Sequence, residues 1–396
     1  MAKSSISLRA PSRRELLIGG AVSGVAIGAA SAKAPLNEAS DGGCVSNLQP
    51  TRNPLIDPRI DPRIKSALGE RLRATPGTDV LSREDLLAEQ ESEAAAERAE
   101  ALKASRAQMN TEEVAPSAGL SQRVLTFKSD PDGNSVKISF IRPDNADRLA
   151  CVYYIHGGGM MTGSCFDGNY QAWARIIAAQ GVAVAMVDFR NSLRASSSPE
   201  VAPFPAGLND CVSGLKWLCA NAAQLNIDED AVVIAGDSGG ANLALATGLS
   251  LKREKKLDLI KGLYAMCPYI AGKYPDPKYP STIENNGIFL HLYNNRGLMA
   301  YGIEAFQSQD VLAWPAFAKQ EDVEGFPPTI ISVNECDPLR DEGVEFYRLL
   351  LRSGVSARCR QVMGTTHAVE VFPAWCTDIS QDTAADLAYF TKRTLS

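Results

Sequence analysis

Histidine is scarce in this chain: three among 396 residues, His156, His291 and His367. Any imidazole chemistry must come from one of those positions, which narrows the search for a general base before any motif is read. Basic charge is not in excess either. Forty Lys and Arg against 46 Asp and Glu leave a net charge of −6, which supplies no basic stripe and argues against a nucleic-acid partner. The nine cysteines include no C-x-x-C pair and no Cys/His cluster, so no zinc pattern is legible. Their spacing is irregular and the core ample, so at most one or two disulfides are expected and no pairing is assigned. Cys151, Cys267 and Cys336 fall in or beside apolar strand-like runs, where a free thiol packs as a small hydrophobe. The N-terminal apolar stretch, Leu16 to about Ala30, is too short and too rich in Gly and Ala for a membrane span.

That stretch follows Ser12-Arg13-Arg14-Glu15-Leu16-Leu17 and ends at the small residues Ala30-Ser31-Ala32. Residues 1–32 are therefore expected to be a twin-arginine signal peptide, exporting a folded protein to the periplasm or beyond, with no stable membrane insertion after cleavage. Residues 33–55, rich in Pro, Asn, Asp and Gly, read as a linker. Residues 56–118 are expected to be a helical N-terminal cap, with one helix from Ser82 to Met109 opened by a Ser82–Asp85 capping box. The pair Asp57-Pro58-Arg59-Ile60 and Asp61-Pro62-Arg63-Ile64 is too short to be a structural repeat.

From Val124 the pattern changes. A hairpin brackets Asp130-Pro131-Asp132-Gly133, and strands and helices then alternate to the C-terminus. Strand candidates are 149–155, 182–187, 232–235, 263–267, 329–333 and 358–363. This is the pattern of an α/β fold over residues 119–396, a mostly parallel sheet with helices on both faces. Residues 271–325 lack strand signals and are expected to form an insertion over the C-terminal edge of the sheet, where sites of open α/β sheets lie.

The chain is organised around Ala231–Leu245. Val232-Val233-Ile234 reads as a buried strand and Ala241–Ala246 as a helix start, with Gly236-Asp237-Ser238-Gly239-Gly240 between them. This is G-x-S-x-G in strand–turn–helix context: the glycines admit the close backbone approach that puts a serine on a sharp turn. The helix N-terminus aims free N–H groups at any anion formed there. Upstream, His156-Gly157-Gly158-Gly159 follows another strand candidate, and its bare backbone offers donors that would complete an oxyanion hole with Gly239. The ring of His156 is expected to hold that loop by hydrogen bonds. His367, just past the last strand candidate, is the serious candidate for base, while His291 is expected to pack or face solvent. Asp337, after the strand 329–333 and stiffened by Pro338, is chosen as the carboxylate that orients it. Asp341 and Glu342 are expected to sit in the first turn of the next helix, favoured there by the dipole.

These residues resemble the hormone-sensitive-lipase-like carboxylesterases of the α/β-hydrolase fold. The resemblance rests on His156-Gly157-Gly158-Gly159, Val187-Asp188-Phe189-Arg190, Phe204-Pro205-Ala206, Gly236-Asp237-Ser238-Gly239-Gly240, Asp337–Gly343 and His367, in that order. It implies Ser238 as nucleophile, Asp337 and His367 as the rest of the triad, and Gly157, Gly158 and Gly239 as oxyanion donors. It also implies a helical cap and hydrolysis of short or medium acyl esters through an acyl-enzyme. Amidase or lactonase chemistry with the same triad, or a catalytically idle ligand-binding module, are the alternatives. No metal or organic cofactor is implied; the partner is a small-molecule ester, and a homo-oligomer is left open. The chain departs from the family's pattern in three places. Gly239 replaces an Ala, expected to matter little because the N–H is kept. A Ser-rich stretch replaces the family's Leu-Ala-Pro-Glu after Arg190, and Ala368-Val369 follow His367 where Gly-Phe is usual. Met160, Met161, Phe289, Tyr293 and Trp314 are pocket candidates by position alone.

Overall fold

Buried β-branched runs fix the centre of the molecule. The computed structural model describes residues 53–144 and 148–393. The expected twin-arginine leader and most of the expected 33–55 linker lie outside them. Eight strands form one sheet: β1 (Leu120–Lys128), β2 (Ser135–Pro143), β3 (Leu149–Ile155), β4 (Ala183–Val187), β5 (Ile227–Asp237), β6 (Gly262–Met266), β7 (Thr329–Asn334) and β8 (Ala357–Val362). Their spatial order is β1-β2-β4-β3-β5-β6-β7-β8. β1 pairs antiparallel with β2, and β2 with β4; from β4 across to β8 every pairing is parallel.

The two-residue period of a strand sorts the core into two layers. Cys151, Tyr153, Ile155, Val232 and Ile234 face a layer closed by Ala206–Ala220 and Gly239–Arg253. Val152, Tyr154, Val233 and Ala235 face the other, closed by Gly168–Ala179 and Thr377–Arg393. Central strands buried on both faces read as continuous apolar runs for this reason. The eight cysteines among the described residues are all free, and Cys151, Cys267 and Cys336 are buried.

The N-terminal segment differs from expectation at one point. Ser82 and Asp85 do form the capping box, but the expected single helix is two, Arg83–Gln90 and Glu93–Ala107. The break falls at Ser92, whose Oγ donates to Glu89 O at 2.7 Å and accepts from Ala95 N at 3.3 Å. A serine that bonds its own backbone favours a cap over a helix interior.

The duplicated Asp-Pro-Arg-Ile pair also has a structural use. Asp57 accepts from Arg59 N and Asp61 from Arg63 N, so both copies make the same turn. Ile60 and Ile64 then pack with Cys336 and Val369, beside Asp337 and His367, and Asp61 N donates to Gly364 O at 2.9 Å. Residues 271–325 hold no strand of the sheet, only short helical turns such as Ser281–Glu284 and Arg296–Tyr301.

Candidate active site

Ser238 sits between the end of β5 and the helix Gly239–Arg253 with φ 54° and ψ −120°, a strained region for a residue with a side chain. Its neighbours explain how the chain tolerates this. A Cβ on Gly236 would lie 2.4 Å from Gly240 O, and one on Gly240 would lie 2.0 Å from Ile155 O. Only glycines let β3, β5 and the helix converge so closely. Ser238 N donates to Met266 O at 2.9 Å and Ser238 O accepts from Tyr269 N at 3.2 Å, tying the turn to the end of β6.

The C-terminal ends of β7 and β8 bring Asp337 and His367 together. Asp337 is fully buried, with Oδ1 accepting from Leu339 N at 2.9 Å, and His367 Nδ1 lies 2.8 Å from Asp337 Oδ2. A carboxylate there keeps the ring proton on Nδ1 and leaves Nε2 bare. Burial pulls the His367 pKa down, but the charge and hydrogen bond of Asp337, with Asp237 and Glu370 beyond, leave it raised above its ordinary value.

Ser238 and His367 line the same cavity of about 460 Å³. The N-terminal helices contribute Leu86, Gln90 and Arg106 to its wall, and the 271–325 segment contributes Phe289 to Leu292, Asn294 and Arg296. Of the pocket candidates, Met161 and Phe289 are in the wall, whereas Met160 and Trp314 are buried in the core. His291, expected to pack or face solvent, instead lines the cavity, and burial lowers its pKa.

The glycine turn requires a correction. Gly157 N donates to the Tyr170 hydroxyl at 2.7 Å, and that hydroxyl donates to Asp237 Oδ2 at 3.0 Å. The Gly157 N–H is therefore already spent, and Gly158 and Gly159, which line the cavity, are the residues of this turn with N–H groups free of a protein acceptor among the described residues. Tyr170 carries no local signal, because it lies thirteen residues along, in the helix Gly168–Ala179. Asp237 is buried and also accepts from the Tyr154 hydroxyl at 2.8 Å; burial pushes its pKa up against those two hydroxyls. His156 is fully buried, with Nδ1 2.8 Å from Gly157 O and its ring stacked on Phe189.

At Gly239, where the family's pattern has Ala, this chain leaves no room for a methyl. A Cβ there would lie 2.6 Å from Met160 N and 2.7 Å from Gly159 Cα, so the glycine turn occupies the space of the missing methyl. The Ser-rich stretch closes on Asp188, through Ser197 N at 2.7 Å to its carboxylate. Ala368 adopts a left-handed conformation, φ 55°, at the cavity wall where the family's pattern has Gly.

Asp341 and Glu342 do lie in the first turn of the helix Arg340–Arg352, but Glu342 is buried there. It accepts from Ile270 N at 2.7 Å and from the Tyr274 hydroxyl at 2.8 Å, and burial pushes its pKa up to about 8.

A serine on a strand–turn–helix at the C-terminal edge of a mostly parallel sheet, with an Asp-braced histidine facing the same cavity, defines the α/β-hydrolase class. The chain belongs to the alpha/beta hydrolase fold family, which matches residues 152–371, and within it to the hormone-sensitive-lipase-like carboxylesterases. A solved structure of esterase Est22 is similar to it at 58% identity and a TM-score of 0.85, covering 86% of this chain and 99% of that one. Brefeldin A esterase, described as a bacterial homologue of human hormone-sensitive lipase, is similar at 33% identity and a TM-score of 0.76, covering 86% and 95%. The carboxylesterase NlhH of Mycobacterium tuberculosis is 31% identical over 213 residues, 53% of this chain and 63% of that protein. The match thus spans under two thirds of that curated relative's length.

Proposed function

We propose that the protein is a serine carboxylic ester hydrolase acting on short or medium acyl esters. Ser238 attacks the ester carbonyl while His367 Nε2 takes its proton, and Asp337 holds the ring in the tautomer that makes this possible. The oxyanion is received by the N–H groups of Gly158, Gly159 and Gly239, each worth roughly 3 kcal/mol. The alcohol leaves with the proton from His367, and a water activated by the same ring releases the acid. The observation that carries this reading is the 2.8 Å contact between His367 Nδ1 and Asp337 Oδ2 in a wall shared with Ser238. The esterases named above support the choice of an ester bond. The cavity of about 460 Å³, with its Leu, Met and Phe lining, supports compact substrates.

The test is hydrolysis of p-nitrophenyl esters of rising acyl length by wild type and Ser238→Ala. Turnover concentrated on short acyls and abolished in the variant is the expected result. Near-wild-type turnover in Ser238→Ala sinks the assignment. Export through the twin-arginine leader is part of the same proposal: Arg13→Lys with Arg14→Lys should retain the protein in the cytoplasm, and unchanged export would refute it.

A further inference from the structure

We infer that Cys267, Asp337 and His367 form a binding site for a thiophilic divalent cation such as Zn²⁺, and that the ion shuts the enzyme off when it binds. The three residues stand just beyond the C-terminal ends of adjacent parallel strands, β6, β7 and β8. One donor atom from each lies within 4.8 Å of the others, and among the described residues this is the one group of three so placed. All three side chains are buried, and Cys267 N is fixed by a 2.7 Å bond to Ser332 O. A thiol, an imidazole and a carboxylate are the donor set of zinc, whose bonds of about 2.0–2.3 Å put neighbouring ligands roughly 3–4 Å apart. Closing the cluster on an ion therefore takes a shift of about an ångström. Of the three, His367 also lines the cavity.

The chemistry of inhibition follows from which nitrogen the cluster faces. His367 Nδ1 is the atom beside Asp337. An ion bound there displaces the Nδ1 proton, and the neutral ring carries its proton on Nε2 instead. The Cys267 thiol proton leaves to solvent, and bonds form from the ion to Sγ, Nδ1 and a carboxylate oxygen. With Nε2 protonated, the ring has no lone pair to take the proton of Ser238. That inhibitory half rests on the triad reading above; binding of the ion does not. No sequence pattern announces the site, because its members are 70 and 30 residues apart.

Two measurements test it. Hydrolysis of p-nitrophenyl acetate is titrated with Zn²⁺ for wild type, Cys267→Ala and the isosteric Cys267→Ser, each relative to its own metal-free rate. Wild type should be inhibited and recover with a chelator, and the half-inhibitory concentration should rise at least about tenfold in Cys267→Ala. Co²⁺ is then added to the inactive Ser238→Ala protein, with and without Cys267→Ala, and the thiolate-to-cobalt absorption band is read. The band should appear only where Cys267 is present, whatever the enzyme hydrolyses. Failure of Zn²⁺ to inhibit wild type, equal inhibition of the Cys267 variants, or a band that survives Cys267→Ala would overturn the proposal. If Cys267→Ala does not fold, Cys267→Ser carries both comparisons.

Discussion

The Tyr170 hydroxyl accepts the Gly157 N–H at 2.7 Å and donates its own hydrogen bond to Asp237 Oδ2 at 3.0 Å. One phenol thus joins the glycine turn to the residue that precedes Ser238. Removing it leaves a buried N–H without an acceptor and a buried carboxylate with one donor fewer, at a cost of about 1–3 kcal/mol each. Tyr170→Phe should lose stability in urea unfolding and lower kcat by roughly tenfold as the oxyanion donors drift, about 1.4 kcal/mol of barrier. Wild-type kcat in a folded Tyr170→Phe protein would contradict this role.

Gly239→Ala makes a sharper prediction. The added methyl meets Met160 N and Gly159 Cα at 2.6 and 2.7 Å, backbone atoms of the turn that faces the cavity. The turn must move away, and displacing a single oxyanion donor costs on the order of 10²-fold in kcat. KM should change far less, because the misplaced groups act on the transition state. Steady-state kinetics on one short-acyl ester decide it.

The pH dependence follows from the raised pKa of His367. A protonated ring cannot take the serine proton, so kcat/KM falls on the acid side, with a midpoint above the ordinary value of 6.5. Asp337→Asn removes the charge that raises it, so the limb should shift to lower pH while maximal activity drops on the order of 10⁴-fold. A midpoint below 6.5 in wild type, or an unmoved one in Asp337→Asn, would argue against this pair.

Ile64, fully buried against Cys336 and Val369, links the N-terminal repeat to the loops of Asp337 and His367. Ile64→Ala should cost about 2–5 kcal/mol in urea unfolding. It should also depress activity at temperatures where Ile64→Val does not.

What was legible in the sequence was local. G-x-S-x-G between an apolar run and a helix start, H-G-G-G after another strand, and a histidine past the last one each carry their geometry within a few residues, and strand ends set the rest. The parallel sheet was legible because central strands have no solvent face to break their apolar runs. What was not legible depends on residues meeting through space. Tyr170 occupying Gly157, the repeat at Ile60 and Ile64 bracing two site loops, His291 turning into the cavity and Cys267 standing beside Asp337 and His367 all join distant segments. The break at Ser92 was missed because Ala and Glu around it favour a continuous helix.

The most direct test of the central claim is to trap the nucleophile. Incubation with diethyl p-nitrophenyl phosphate, followed by peptide mass mapping, should find one phosphoryl adduct per chain, on Ser238, formed in step with loss of activity and slowed in His367→Ala. An adduct on another residue, or full activity retained once Ser238 is labelled, would contradict the account.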